Sequence, residues 1–326
     1  MRLAMAKRWT HAAAWARVRA GFRLHSPAST VFHGKHLSRL LHKLVVLFTL
    51  VALIGGCSTT MPPEAVLAVP AAPQKYASIV VDARTGKQLF EMNSTSPRYP
   101  ASLTKMMTLY MLFEALTAGR VEKGAEIPVS AYAASRPPSK LGLRPGERID
   151  VDTAIRALTV KSANDVAAAV GEYLGDSEEA FAAAMTARAR QLGMRDTTFR
   201  NASGLPDEGQ FTTARDMAVL GIALRNRFPQ YYHYFSASDF MFRGKLVRGH
   251  NDMLGRVHGV DGIKTGYVRA SGFNIVTSYS ADGRRYIVVV MGANTARERN
   301  AHAESLLERA LAASSDKTRV VFQESR

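Results

Sequence analysis

Apolar and polar positions divide the chain into stretches of different period. Tyr76-Ala-Ser-Ile-Val-Val-Asp82 and Lys87-Gln-Leu-Phe-Glu91 read as strands. Arg84-Thr85-Gly86 between them reads as a turn, so the pair predicts a hairpin. From about Ser102 to Ala118 the pattern changes. Met106, Leu109, Tyr110, Leu112, Phe113 and Leu116 cover much of a helix circumference, which predicts a deeply buried helix closed by Gly119. Residues 150–228 alternate helical runs with turns. Val151 to Leu174 and Ser177 to Leu192 are Ala-rich helical stretches, and Asn201-Ala-Ser-Gly-Leu-Pro206 is a turn cluster. Thr212 to Arg225 predicts a further helix capped by Thr212 or Thr213. Strands return at Phe273–Tyr279 and Arg285–Met291, around an Ala281-Asp282-Gly283 turn. Arg297 to Leu311 predicts a last helix, and residues 314–326 a short polar tail. Strands at both ends with helices between give an α+β class: one antiparallel sheet flanked by helices, with a helical subdomain inserted in the middle.

Composition adds a leader. Hydrophobic residues make up 47% of the 326, enough for a sizeable core. The formal charge is +16, yet residues 1–63 carry nine Lys/Arg and no Asp or Glu. The remainder is only +7, which argues against a nucleic-acid binder and suits an anionic polymer such as cell wall. Leu44 to Ile54 is an apolar run preceded by Lys43, shorter than the roughly 20 residues of a membrane-spanning helix. Gly55-Gly56-Cys57 follows it, and Cys57 is the single cysteine. That order is basic, apolar, small: an export signal. Ile54-Gly55-Gly56-Cys57 resembles a bacterial lipobox, which makes Cys57 the expected lipidation site. Cleavage around Ala68 to Ala72 is the alternative. The expected division is a leader over 1–57, a flexible tether over 58–75, a folded catalytic domain over 76–313 and the tail.

Three short motifs occur in order: Ser102-Leu-Thr-Lys105, Ser162-Ala-Asn164 and Lys264-Thr265-Gly266. Each is weak alone. Ser102 could be a helix cap, Lys105 a solvated charge, and Ser162 and Asn164 local backbone ligands. Ser314-Ser-Asp-Lys317 shows that Ser-x-x-Lys arises without a role. Context adds meaning. Positions i and i+3 share a helix face, so Ser102 and Lys105 can meet. A serine is a poor nucleophile until a base takes its proton, and a lysine is a base only when burial or a nearby cation keeps it neutral. Lys264 could be that cation. Glycine within a strand, as at Gly262 and Gly266, marks close approach of another backbone. No multi-cysteine metal site, His/Asp/Glu metal spacing or phosphate loop is present in the sequence, and no cofactor is expected. His250 and His258 read as structural.

Order and spacing fit the Ser-x-x-Lys, Ser-Asp-Asn and Lys-Thr-Gly set of penicillin-binding proteins and class A β-lactamases, with Ala163 in the middle motif as a departure at one position. Tyr99 to Met107, Leu141-Gly-Leu-Arg-Pro-Gly-Glu147, Asn201 to Pro206, Thr212-Thr-Ala-Arg-Asp216 and Gly262-Ile-Lys-Thr-Gly-Tyr267 resemble the low-molecular-mass D-alanyl-D-alanine carboxypeptidases, serine peptidases of the β-lactamase-like fold. The likeness runs from about Tyr76 to Leu311. It implies that Ser102 attacks the carbonyl between two D-alanines of a peptidoglycan stem peptide, with Lys105 as base and Ser162 as proton donor to the leaving amine. It further implies that Asn164 holds the substrate amide and that Lys264 supplies positive potential. Thr265 binds the terminal carboxylate, with Arg299 beside it. The N–H groups of Ser102 and Tyr267, next to Gly266, form the oxyanion hole. β-Lactams would trap Ser102. Many members carry a second, β-rich domain and a C-terminal anchor; here anchoring is expected at Cys57, in the cell envelope. Two rivals remain at this level: a DD-endopeptidase with the same motifs, and a non-catalytic wall-binding lipoprotein. A β-lactamase is disfavoured because no Glu-x-x-x-Asn stretch lies between the second and third motifs.

Overall fold

The computed structural model of the protein describes residues 75–324. The expectations for the leader 1–57, for Cys57 and for residues 58–74 lie outside the described residues. Five strands form one antiparallel sheet: β1 (Ala77–Asp82), β2 (Gln88–Met92), β7 (Val260–Val268), β8 (Gly272–Ala281) and β9 (Arg284–Ala293). Their spatial order is β2-β1-β9-β8-β7, so both predicted hairpins are present and β7 lies at an edge. The sheet flanked by helices is the α+β architecture expected from the sequence.

Strand β9 explains why both faces are covered. Side chains alternate faces along a strand. Ile287, Val289 and Met291 enter the larger core with Leu109, Phe113 and Met217. Val288 and Val290 enter a second core with Val80 and Ile275. A strand buried on both faces therefore reads as a continuous apolar run, Ile287 to Met291. The first face is covered by α6 (Ala214–Arg227), and α1 (Lys105–Thr117) packs against α6 within the same core. The second is covered by α7 (Ala296–Glu324), through Ala303, Leu307 and Ala310.

Between β2 and β7 lies the helical insertion. Two short strands, β3 (Glu126–Pro128) and β4 (Arg148–Asp150), pair with each other and flank α2 (Ala131–Ala134). Then come α3 (Val151–Arg156), α4 (Asn164–Gly175) and α5 (Glu178–Gln191). A last hairpin, β5 (Asp239–Phe242) with β6 (Lys245–Arg248), precedes β7. Caps start several helices. Thr213, not Thr212, caps α6 by accepting from the Asp216 N–H, and Ser177 caps α5 through the Ala180 N–H.

Three helix boundaries differ from the sequence expectation. Ser102 lies in a 3₁₀ turn, Ala101–Thr104, and the α-helix begins only at Lys105. The stretch Val151 to Leu174 is not one helix. It passes through a π-helical turn, Ala157–Lys161, and breaks at Ser162, whose φ is +60°. Tertiary contacts override the Ala-rich propensity there: the Asn164 N–H donates to the Ser139 carbonyl rather than continuing the run. The expected polar tail from residue 314 is helical as far as Glu324, because Ala296–Glu324 contains neither Gly nor Pro. Among the described residues no helix is long and apolar enough to cross a membrane.

Candidate active site

The 3₁₀ turn decides how the first motif meets. Residues i and i+3 of a 3₁₀ helix eclipse each other. Lys105 Nζ accordingly lies 3.1 Å from Ser102 Oγ. The same amine donates to Asn164 Oδ1 at 2.7 Å and to the Ser203 carbonyl at 2.6 Å. Lys105 is fully buried. Burial first, and then the charge of Lys264, hold its pKa well below the ordinary 10.5; Glu178 and Asp165 oppose them. Its place in the first turn of α1 adds to this, since a helix N-terminus repels a cation.

Lys264 is also buried and donates to the Thr265 carbonyl at 2.9 Å. Burial, and then Arg299, lower its pKa to about 7. Arg299 itself is lowered to about 10, chiefly by burial. Three basic side chains thus crowd one end of the site. Arg299 is only 3% exposed, so it is not a solvated charge on the helix surface. Its guanidinium donates to Asn300 Oδ1 at 2.7 and 3.0 Å. Position on α7 accounts for this. Arg299, Ala303, Leu307 and Ala310 follow helical spacing on one stripe, so the packing that buries Leu307 also turns Arg299 inward.

Ser162 and Asn164 come from the broken helix. The left-handed turn at Ser162 brings both into the cleft. Among the described residues Ser162 Oγ is buried without a hydrogen-bond partner. Both ends of the Asn164 carboxamide are engaged: Oδ1 by Lys105, and Nδ2 by donation to the Pro137 carbonyl at 2.9 Å. Ser102, Ser162, Asn164, Thr265, Gly266, Tyr267 and Arg299 line one cleft of about 510 Å³. Tyr267 is half exposed on its rim and packs in a tilted arrangement on Phe273, ring centroids 4.3 Å apart. His250 lines the same cleft, and burial, Lys264 and Lys161 lower its pKa; His258 is not among the lining residues.

Two glycines set the serine's position. A Cβ on Gly266 would lie 3.0 Å from the Ser102 nitrogen, so the third motif abuts the first backbone to backbone. A Cβ on Gly204, at φ +85°, would lie 1.8 Å from the Ala101 carbonyl oxygen, which no side chain permits. Gly204 belongs to the Asn201-Ala-Ser-Gly turn. Asn201 Oδ1 accepts from the N–H groups of Ser203 and Gly204 and so presents the Ser203 carbonyl to Lys105.

Sequence reasoning missed two positioning residues. Asn274, fully buried on β8, donates from Nδ2 to the Tyr99 and Pro100 carbonyls at 3.2 and 3.3 Å, tying down the turn that carries Ser102. A lone Asn inside the apolar run Phe273–Tyr279 was the available signal. Asp165, also fully buried, accepts from the N–H groups of Leu141, Gly142 and Leu143 and fixes the Leu141-Gly-Leu-Arg segment beside α4.

Comparison with known proteins identifies the family. Residues 66–295 match the family described as D-alanyl-D-alanine carboxypeptidase. D-alanyl-D-alanine carboxypeptidase DacF of Bacillus subtilis (strain 168) is 33% identical over 237 residues, covering 71% of this chain and 61% of that protein. The crystal structure of penicillin binding protein 5 from Haemophilus influenzae superposes with a TM-score of 0.70 at 32% identity, over 72% of this chain and 70% of that one. A Listeria monocytogenes penicillin-binding protein in a cefotaxime-bound form gives 0.63 at 28% identity, over 71% and 95%. The chain spans about three fifths of the length of the curated relatives it matches. With a matching family segment that contains all three motifs, and a fold shared with penicillin-binding proteins, the chain belongs to the D-alanyl-D-alanine carboxypeptidase family.

Proposed function

We propose that this chain is a serine-type D-Ala-D-Ala carboxypeptidase that removes the terminal D-alanine from peptidoglycan stem peptides. One observation carries the reading: a buried amine with a depressed pKa lies 3.1 Å from a serine hydroxyl at the floor of an open cleft. Neutral Lys105 takes the Ser102 proton as Oγ bonds to the carbonyl carbon. The N–H groups of Ser102 and Tyr267 hold the oxyanion. The bond to the terminal D-alanine then breaks, and its amine takes a proton through Ser162. That proton is the one Lys105 took from Ser102, so Lys105 is neutral again. It deprotonates the water that attacks the acyl-enzyme, and Ser102 leaves with the proton returned to its Oγ. Lys264, Thr265 and Arg299 attract the substrate carboxylate, and Asn164 positions both the acyl amide and Lys105.

The reading extends to the rest of the chain. Residues 1–57 serve as an export leader, Cys57 as the lipid attachment point and 58–75 as the tether, which places the catalytic part 76–313 in the cell envelope. A single acyl chain binds membranes only marginally, so firm anchoring at Cys57 requires more than one. β-Lactams acylate Ser102; the cefotaxime-bound relative supports this.

Mass spectrometry of the protein with benzylpenicillin, together with digestion of purified muropeptides, tests the proposal. A stoichiometric adduct on wild type, none on Ser102→Ala, and at least a thousandfold loss of D-alanine release, order of magnitude, are expected. Absence of any adduct would leave a non-catalytic wall-binding protein. Loss of cross-linked dimers without free D-alanine would indicate an endopeptidase.

A further inference from the structure

Lys105 shares its surroundings with a buried carboxylate that the reaction does not touch. Glu178, the first residue of α5, is 5% exposed and is not among the residues that line the cleft. Both of its oxygens accept hydrogen bonds. Oε1 accepts from the Ala202 N–H at 2.9 Å, and Oε2 from the Tyr132 hydroxyl at 2.7 Å. That acceptor-only pattern is the one a carboxylate makes, and the N-terminus of α5 favours a negative charge there.

Ala202 belongs to the turn that meets the base. Its N–H goes to Glu178, and its carbonyl accepts from Thr108 Oγ1 at 2.7 Å. Thr108 lies one turn along α1 from Lys105. The next carbonyl, of Ser203, accepts from Lys105 Nζ at 2.6 Å. Ala202 is thus held at both of its backbone groups, and the place of the Ser203 carbonyl follows from it. Without Glu178 the Ala202 N–H would be buried and unpaired, and the turn would have to shift to find another acceptor.

Charge acts beside this geometry. Lys105 is faced by Lys264 from β7, by Asp165 from α4 and by Glu178 from α5. Glu178 is faced by Tyr132 from α2, with Arg136 and Glu172 near that hydroxyl. Burial and Lys264 weaken the Lys105 amine as a base, and the two carboxylates oppose them. Asp165 already accepts from three N–H groups of Leu141 to Leu143, whereas Glu178 bonds the turn that touches Lys105.

We propose that Glu178 is a positioning residue for the base: it holds the Ser203 carbonyl on Lys105 Nζ and supplies a negative charge that offsets Lys264. The inference rests on the reading of Lys105 as the proton acceptor of Ser102.

The test is the pH profile of benzylpenicillin acylation on the full chain, wild type against Glu178→Gln and Glu178→Ala. Acylation needs the neutral amine, so the rate rises with pH through an acid limb. Glutamine keeps an acceptor for the Ala202 N–H and removes the charge. An anion favours the ammonium form, so its loss lets Lys105 shed its proton at lower pH. In Glu178→Gln the acid limb should move down by about half to one pH unit. Below the wild-type limb this variant should acylate about three- to tenfold faster, a gain that misfolding cannot produce. Its plateau should fall by no more than about threefold, since a less basic amine is a slightly weaker proton acceptor. Glu178→Ala removes the acceptor as well. Its limb should move likewise, with a plateau about tenfold or more below that of Glu178→Gln. An acid limb that stays or rises in Glu178→Gln would overturn the proposal, and this profile decides alone if Glu178→Ala does not fold. Equal plateaus for the two variants would overturn the hold on Ser203. If benzylpenicillin leaves Ser102 of the wild type unmodified, the reading of the base fails first and the inference with it.

Discussion

The protein buries two layers of very different chemistry. Between the sheet and α7 lie Val80, Ile275, Val288, Val290, Ala303, Leu307 and Ala310, without a charge. Asn164 and Arg299 line the cleft, and Lys105, Asp165, Lys264 and Asn274 lie buried behind its lining, nearly all of them hydrogen-bonded. The first layer needs only matching volume and could be filled in several ways. The second needs each donor and acceptor met at a fixed distance, and it holds cations that repel one another and have lost water. Stability comes from the first layer and chemistry from the second; α7 joins the two, because one stripe carries both Leu307 and Arg299.

Removing the base separates the layers most sharply. Lys105→Met deletes the proposed proton acceptor and a desolvated amine together. Acylation by benzylpenicillin should slow by about a thousandfold or more, while the thermal midpoint should hold or rise. A collapse in the midpoint would mean that the Lys105 hydrogen bonds to Asn164 and Ser203 hold the fold. In the other layer, Leu307→Ala should lower stability by about 2–4 kcal/mol in denaturant melts. The acylation rate per folded molecule should barely change; a slowed rate would show that the α7 stripe also sets the Arg299 position.

The smallest effect is a pH dependence. Lys264 loses its proton near pH 7 in the folded state but near 10.5 when unfolded. Between those values the unfolded chain binds more protons, so folding stability rises with pH across that window. Below about 7 the full penalty of the buried amine applies. Lys264→Met should therefore stabilise the protein at pH 7 by on the order of 1–3 kcal/mol and reduce the slope between pH 7 and 10. A slope untouched by the substitution would assign the titration to Lys105 alone.

Much of this was legible in the residues. Period-two and helical patterns gave the hairpins, the buried helix at Met106–Leu116 and the helix after Thr213, because those elements bury one continuous apolar face. The three motifs were readable because chemistry fixes their residue types. The breaks were not. Nothing in Ala157–Lys161 announces a π turn, since that turn depends on Ser139 and other residues far away in sequence. The 3₁₀ turn at Ser102 likewise lies against a distant segment, with Gly204 packed on the Ala101 carbonyl. Asn274 and Asp165 acquire meaning only once strands and loops have come together.

Gly204 and Gly266 press on the serine's turn from two separate segments and leave no spare thickness around it. Mutational drift at either glycine can only thicken the backbone and push the nucleophile away. Divergence in substrate range among enzymes built this way must therefore be written in the outer walls, at positions such as Leu205 and Tyr267, while the reaction centre stays as it is.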